Sequence, residues 1–352
     1  MSAQEKLIQL ASAIKNSPLG FKKKSGEDVI EVSIPASTAA AFYEKVRATL
    51  EYQDEHLLRR NAIARILRRL LGGNGNAHDM AKILLTELVW GKYLPNKEIP
   101  VRFADELADV FLKYEPIFLA AQRVENKEYA FQWILDVLST EIEYKIMSHQ
   151  DIELMATFMY EELKKRVEWD EKLNYHQEEK DLRLFIATHK MLLKSNLATL
   201  RYRTFLLYYP DWTYANSELI NEIAGNIARV INTVDYQVEH PLTHRLALKV
   251  RRKAGVFRVL LDVIKNDNNF QETVSNVEAL DKAVEKSLKK NTDIFRKKLK
   301  RTAVRAVLFL FITKMFLALI MEVPYDYLIH GRLFFVPLLI NILFPPLLLA
   351  FI

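Results

Sequence analysis

Two long apolar segments close this chain, Ala306 to Met321 and Leu333 to Ile352, and a dense run of cations stands directly before them. A bilayer core about 30 Å thick takes roughly 20 apolar helical residues. The second segment has 20 residues and no charge, whereas the first has 16 and carries Lys314 near its middle. The first spans by recruiting neighbours such as Ala303 and Val304 or by thinning the bilayer locally. The expectation is a C-terminal two-segment hairpin over 306–352, transmembrane or re-entrant, because a segment this apolar has few other stable surroundings.

The cations are Lys286, Lys289, Lys290, Arg296, Lys297, Lys298, Lys300, Arg301 and Arg305, opposed between 286 and 305 only by Asp293. This belt carries +8, residues after Arg305 sum to zero, and residues 1–285 carry −2 of the chain's +6. A nucleic-acid-binding body is usually basic over one of its own faces, so a near-neutral body argues against that class. Lys and Arg beside a membrane helix stay on the cytoplasmic side. They also attract anionic headgroups, at about 1 kcal/mol per basic side chain near the surface. The belt is therefore the candidate site for lipid headgroups and for topology, with membrane lipid as the partner.

Met1 to Lys15 has Leu7, Leu10, Ala11 and Ile14 at helical spacing but no continuous apolar core. It does not read as a secretory signal peptide, which leaves the body expected in the cytosol. The absence of cysteine excludes disulfides and thiolate metal sites and suits a reducing compartment.

Glycine is scarce, 9 of 352 residues, and apolar positions recur at three- and four-residue steps, so the body is expected to be all-α. One exception is DVIEVSIP, where Ile30, Val32 and Ile34 alternate with polar residues and predict a short edge strand or extended segment. Ser37 caps a predicted helix running to Leu71, which stops at Gly72-Gly73-Asn74-Gly75. That glycine run lacks the Lys-Ser/Thr of a phosphate loop. Further helices are predicted at 77–90, 101–114 ending before Pro116, 125–148, 151–174, 178–208, 216–239, 242–265 and 271–301. No fixed period marks a solenoid. The architecture is a multi-helix bundle or irregular helical array, divided into an N-terminal lobe at 1–209, a second lobe at 210–285, the belt at 286–305 and the hairpin at 306–352. The lobe boundary rests on Tyr208-Tyr209-Pro210-Asp211-Trp212, with the Gly72 loop as the alternative.

Several clusters invite a chemical reading. Arg65, Arg68 and Arg69 share one helical face and suit phosphates or solvent equally. His240 and His244 have metal-like spacing after Glu239, but Pro241 puts His240 ahead of a helix and His244 inside it. Glu161, Glu162, Glu178, Glu179 and Asp181 surround His176 without the Glu-x-x-His of a di-iron bundle. Arg201, Tyr202, Arg203, Phe205, Tyr208, Tyr209 and Trp212 mix cations with aromatics, which more often fills a helix junction than binds single-stranded nucleic acid. No cofactor, metal or catalytic group emerges.

Within the apolar segments a charge or amide costs a few kcal/mol unless it finds a partner. Lys314 and Asn341 are the two exceptions, facing a helix interface or, for Lys314, snorkelling to the headgroups. Glu322, Tyr325, Asp326, Tyr327, His330 and Arg332 are read as a short non-cytoplasmic turn, with Tyr325 and Tyr327 at the interface. Pro337, Pro345 and Pro346 are expected to interrupt the second segment. Phe351-Ile352 ends in apolar sequence, so the natural chain is expected to continue.

AIARILRRLL at Ala62 to Leu71, ELVWGKYLPN at Glu87 to Asn96, LYYPDWT at Leu207 to Thr213, TKMFLALIMEVPYDYLIHG at Thr313 to Gly331 and INILFPPLLL at Ile340 to Leu349 resemble stretches of uncharacterised bacterial inner-membrane proteins from small-genome lineages. The resemblance implies an inner-membrane protein with a cytoplasmic helical region and no particular chemistry. The function expected is a non-enzymatic, membrane-anchored scaffold with protein partners, with a homo-oligomer also open. Two other readings remain: a transport or channel subunit using Lys314 and Asn341, and a membrane-tethered nucleic-acid binder using the Arg65 face.

Overall fold

The computed structural model describes residues 2–16, 26–32, 55–73, 75–170, 174–331 and 334–351. Ser37, Ile34 and Arg332 lie outside the described residues, as does the side chain of Lys298. Among the described residues every regular element is a helix. The chain forms two compact units, residues 1–275 and 276–352.

The first unit begins with α1 (Ala3–Lys15), where Ser2 and Glu5 satisfy each other's backbone N–H groups in a capping box. Then come α2 (Glu55–Leu70), α3 (Ala77–Trp90), α4 (Phe103–Ala121), α5 (Lys127–Ile146), α6 (Gln150–Lys164), α7 (Gln177–Leu192), α8 (Leu197–Tyr208), α9 (Ser217–Gly225), α10 (Ile227–Glu239), α11 (Pro241–Asn266) and α12 (Phe270–Ser275). Helix α5 lies at the centre, packed by α2, α4, α8 and α10. Every residue from Trp133 to Glu143 is buried. A helix enclosed on all sides has no solvent face on which to place a charge.

The extended segment exists but forms no strand. Asp28 to Val32 lies beside residues 96–101, with Ile30 N–H donating to Ile99 O at 2.9 Å and Val101 N–H to Asp28 O at 2.9 Å. Asn96 completes the pairing, accepting from Val32 N–H and donating to Val32 O, both at 3.1 Å.

Several helix boundaries differ from the sequence reading. Helix α4 runs through Pro116 to Ala121, and the carbonyl that loses its bond belongs to Leu112, a residue on the exposed side of the helix. The predicted 178–208 helix is two, broken where Lys194 adopts φ +53° and Asn196 caps α8 by accepting from Thr199 N–H at 3.0 Å. The predicted 216–239 helix breaks at Gly225 and Asn226. Helix α6 ends at Lys164, not 174.

The expected lobe boundary at 209/210 lies inside one core. A 3₁₀ turn, Pro210–Tyr214, buries Trp212 completely against the same cluster that holds Leu138, Ile142 and Phe205. Tyr114 meets the Trp212 ring edge-on at 5.2 Å. Proline at the first position of that turn supplies no N–H and needs none. The chain instead divides at 275/276.

In the second unit, α13 (Val277–Leu317) continues through a π-helical turn, Ala318–Glu322, into α14 (Val323–His330). The stretch read as a turn from Glu322 is therefore helical as far as His330. The π turn ends two residues before Pro324 and gives the backbone a way to carry a residue without an N–H. Gly331, at φ +63°, terminates the helix in the left-handed conformation. Helix α15 (Phe335–Phe351) packs back on α13. It is unbroken at Pro345 and Pro346, and Pro337 sits in its first turn, where the missing N–H costs nothing.

Candidate membrane interface

Asn276 caps α13 by accepting from Glu278 N–H and Ala279 N–H at 3.0 and 3.3 Å. From there one helix carries the belt and the first apolar segment as far as Leu317, and the π turn carries the rest. Lys286, Lys289, Lys290, Arg296, Lys297, Lys300, Arg301 and Arg305 are all exposed. At about 100° per residue they fall within about half of the helix circumference. Leu288, Phe295 and Leu299 occupy the other side and are also exposed. A cationic face opposite an apolar one suits the headgroup boundary, which offers both kinds of contact.

The helix from Val277 to His330 is long and apolar enough to cross a membrane by length and composition. Only 6% of its most apolar 18-residue stretch is buried. A soluble protein's core helix would hide that stretch; here Leu308, Phe309, Phe316, Leu319 and Ile320 face outward. Helix α15 has 17 residues, about 25 Å at 1.5 Å per residue, short of a full hydrocarbon thickness.

Of the two polar exceptions, Lys314 is half-buried and Asn341 has a partner. The Asn341 side-chain amide donates to the Glu322 carboxylate, joining the π turn to α15. Asp326, one helical turn beyond Glu322, accepts from Phe334 N–H at 3.2 Å. With Met321, Tyr325 and Pro337, these residues line a cleft of about 560 Å³. Glu322 was missed as the partner because the sequence reading placed it in a solvated turn. Tyr325 and Tyr327 are both exposed on α14 rather than in a turn.

In the first unit some residues of the clusters flagged by sequence, Arg201, Arg69, Glu162 and Asp181 among them, form ion pairs, beside others that sequence did not flag. Arg201 is buried, and its guanidinium bonds Asp136, Asp235 and the Tyr129 hydroxyl. Glu141 accepts from the Tyr114 hydroxyl at 2.6 Å and the Trp212 indole at 2.8 Å, and Lys113 pairs with it. Glu143 holds Arg59 at 2.8 Å and His149 at 2.8 Å. Buried charges persist only when paired, and these are. Arg69 of the Arg65 face pairs with Glu87. Glu162 binds Lys165 and Arg166, and Asp181 binds Lys164. His240 caps α11 by accepting from Leu242 N–H at 3.1 Å, while His244 lies within the helix. Among the described residues no three His, Asp or Glu side chains are grouped to hold a metal ion.

A second buried group carries perturbed ionisation. Glu153 accepts from the Tyr144 hydroxyl at 2.8 Å, contacts Arg203, and lies 3.5 Å from His189 Nδ1. Burial pushes the Glu153 carboxyl up, and Arg203 opposes that shift. Burial, with Arg203 adding to it, holds His189 well below its ordinary value. His189 is fully buried with neither ring nitrogen hydrogen-bonded among the described residues, so it sits there neutral.

No family model, curated protein or solved structure matches the chain.

Proposed function

We propose that this protein is a non-enzymatic scaffold, held at the bacterial inner membrane by its C-terminal unit, with the helical body on the cytoplasmic side. The observation that supports it most is the unbroken helix that leads from eight exposed cations into unburied apolar sequence. In water that apolar surface has no favourable solvent; in lipid it has, and the cations fix which side it enters from. The hairpin reading is supported by the packing of α15 on α13 and by the bond from the Asn341 amide to the Glu322 carboxylate. The body suits a rigid platform, because several ionisable groups of its core are bound to one another: Asp136 and Asp235 to Arg201, Glu141 to Lys113, Glu143 to Arg59.

Alkaline carbonate washing of native membranes tests the anchor: the intact chain is expected to stay in the pellet, and its release would end this reading. Affinity purification from the same membranes, followed by identification of stoichiometric partners, tests the scaffold.

The Glu322–Asn341 pair beside a cleft containing Asp326 favours a second reading, a subunit of a transport assembly. In that case Glu322→Gln and Lys314→Leu change solute flux in reconstituted vesicles while the chain remains inserted. Unchanged flux excludes it.

A further inference from the structure

From His244 to Val256, α11 reads HRLALKVRRKAGV, with five cations and no carboxylate. Arg245, Lys249, Arg251, Arg252 and Lys253 are all exposed, and none forms an ion pair with a described residue. Elsewhere in this unit cations find carboxylates within reach, as Lys164 finds Asp181 and Arg102 finds Glu27. Glu168 and Asp170 line a cleft together with Arg245, Lys249 and Lys253, so five cations stand against two neighbouring carboxylates, and the remaining +3 in a body of −2 is a local departure. The opposite face of α11 is fixed by packing: Leu246, Ala247 and Val250 are buried, and α11 lies along α7. The cations therefore cannot turn inward.

Two further side chains decide the partner. Leu248 is 55% exposed and Val256 66%, both among the cations on the outer face. A nucleic-acid backbone offers nothing to a leucine-sized hydrocarbon group, whereas the boundary between headgroups and acyl chains takes apolar and cationic groups side by side. We propose that the face of α11 from Arg245 to Val256 binds the anionic headgroups of a bilayer, with Leu248 and Val256 entering the headgroup layer. This rests on the anchoring reading above, since a tethered body meets its membrane at high effective concentration and a weak surface contact then suffices.

The chain has no cysteine, so Val256→Cys provides a single labelling position. The full chain carrying a fluorophore there is reconstituted in phosphatidylcholine vesicles, with or without an anionic fraction of about one third, with quencher groups on the lipid headgroups. At least twofold greater quenching is expected in the anionic vesicles. Added salt, or the triple change Lys249→Gln, Arg252→Gln, Lys253→Gln, is expected to return it to the neutral-lipid level. These are exposed, unpaired side chains, so the fold tolerates their loss. Equal quenching in both vesicles, or quenching indifferent to the triple change, overturns the proposal. Displacement of the probe from anionic vesicles by a short oligonucleotide also overturns it, assigning the face to nucleic acid. Retention of each variant after alkaline washing is scored separately, so loss of the surface contact is distinguished from failure of the anchor.

Discussion

Arg201 on α8 holds its Nη1 2.8 Å from Asp136 Oδ2 on α5, inside the core of the first unit. The same guanidinium reaches Asp235 through Nε at 2.9 Å, so one cation joins three helices, and Trp133 Nε1 adds a bond to Asp235 at 3.1 Å. Arg60 supplies a second cation to Asp136 at 3.2 Å. Removing Arg201 leaves Asp235 with no cation and Asp136 with one. Arg201→Met is therefore expected to destabilise the body by about 3–5 kcal/mol, the range for breaking a buried pair from one side. Urea denaturation followed by far-ultraviolet circular dichroism measures it. A loss below about 1 kcal/mol would mean water reaches both carboxylates.

Trp212 fixes the position of the 3₁₀ turn through its indole N–H, which lies 2.8 Å from Glu141 and 3.0 Å from the Tyr114 hydroxyl. Trp212→Phe keeps the aromatic burial and deletes the donor, leaving a buried carboxylate short of one bond. The expected cost is about 1–3 kcal/mol. Trp212→Ala adds a cavity and is expected to cost about 3–5 kcal/mol. If 1–209 and 210–285 were separate lobes, either change would produce two unfolding transitions; one shared core predicts one, in calorimetry of the same variants.

Much of this fold was legible in the sequence, and the parts that were not share a cause. The all-helical body, the helix at 77–90 and the start of α11 after His240 followed from local signals: a cap, a proline, an apolar period. The break at Lys194 carried no glycine or proline, and the single Gly225 before Asn226 was not enough by itself to stop a helical period. The pairing of Arg201 with Asp235, or of Asn341 with Glu322, depends on residues distant along the chain and has no local signature at all. The belt was legible as a cationic run because its residues are nearly consecutive, and the structure places them on one helix. The basic face of α11 was hidden by a sum over 1–285, in which five clustered cations disappear into a net −2.

His189 makes the body acid-sensitive. Burial and Arg203 lower its pKa in the folded state below the ordinary 6.5, so near pH 6 the unfolded chain binds a proton that the native chain refuses. Stability from this group is intact above 6.5 and is lost as pH falls below it. Glu153 contributes with the opposite sign: its carboxyl is raised from 4.5, so the native form keeps a proton the unfolded form has released, and its contribution weakens as pH rises. Between pH 6.5 and 5 the midpoint of thermal unfolding is expected to fall, and His189→Gln to flatten that fall. His240, lowered by burial and by Arg183, leaves a residual slope of the same sign. A variant with the full wild-type slope would place the acid sensitivity elsewhere.

On the anchoring proposal, the belt is expected to set which way the apolar helix inserts, because moving Lys and Arg across a bilayer is costly and the cations nearest the helix dominate. Lys300, Arg301 and Arg305 are exposed in the turns leading into the apolar segment, with Lys297 one turn before them. Changing these four to Gln removes half of the belt's net +8 and leaves the helix's own propensity nearly untouched. Tyr325, exposed beyond the apolar segment, reports the outcome as Tyr325→Cys in a chain with no other thiol. In the parent an impermeant maleimide is expected to label this position only from the face opposite the body. In the quadruple variant a measurable fraction becomes protected, because the chain inserts in both directions. Labelling that stays complete from one side would show that the folded body, which resists translocation whatever its flanking charge, sets the topology, leaving the cations to headgroup binding alone.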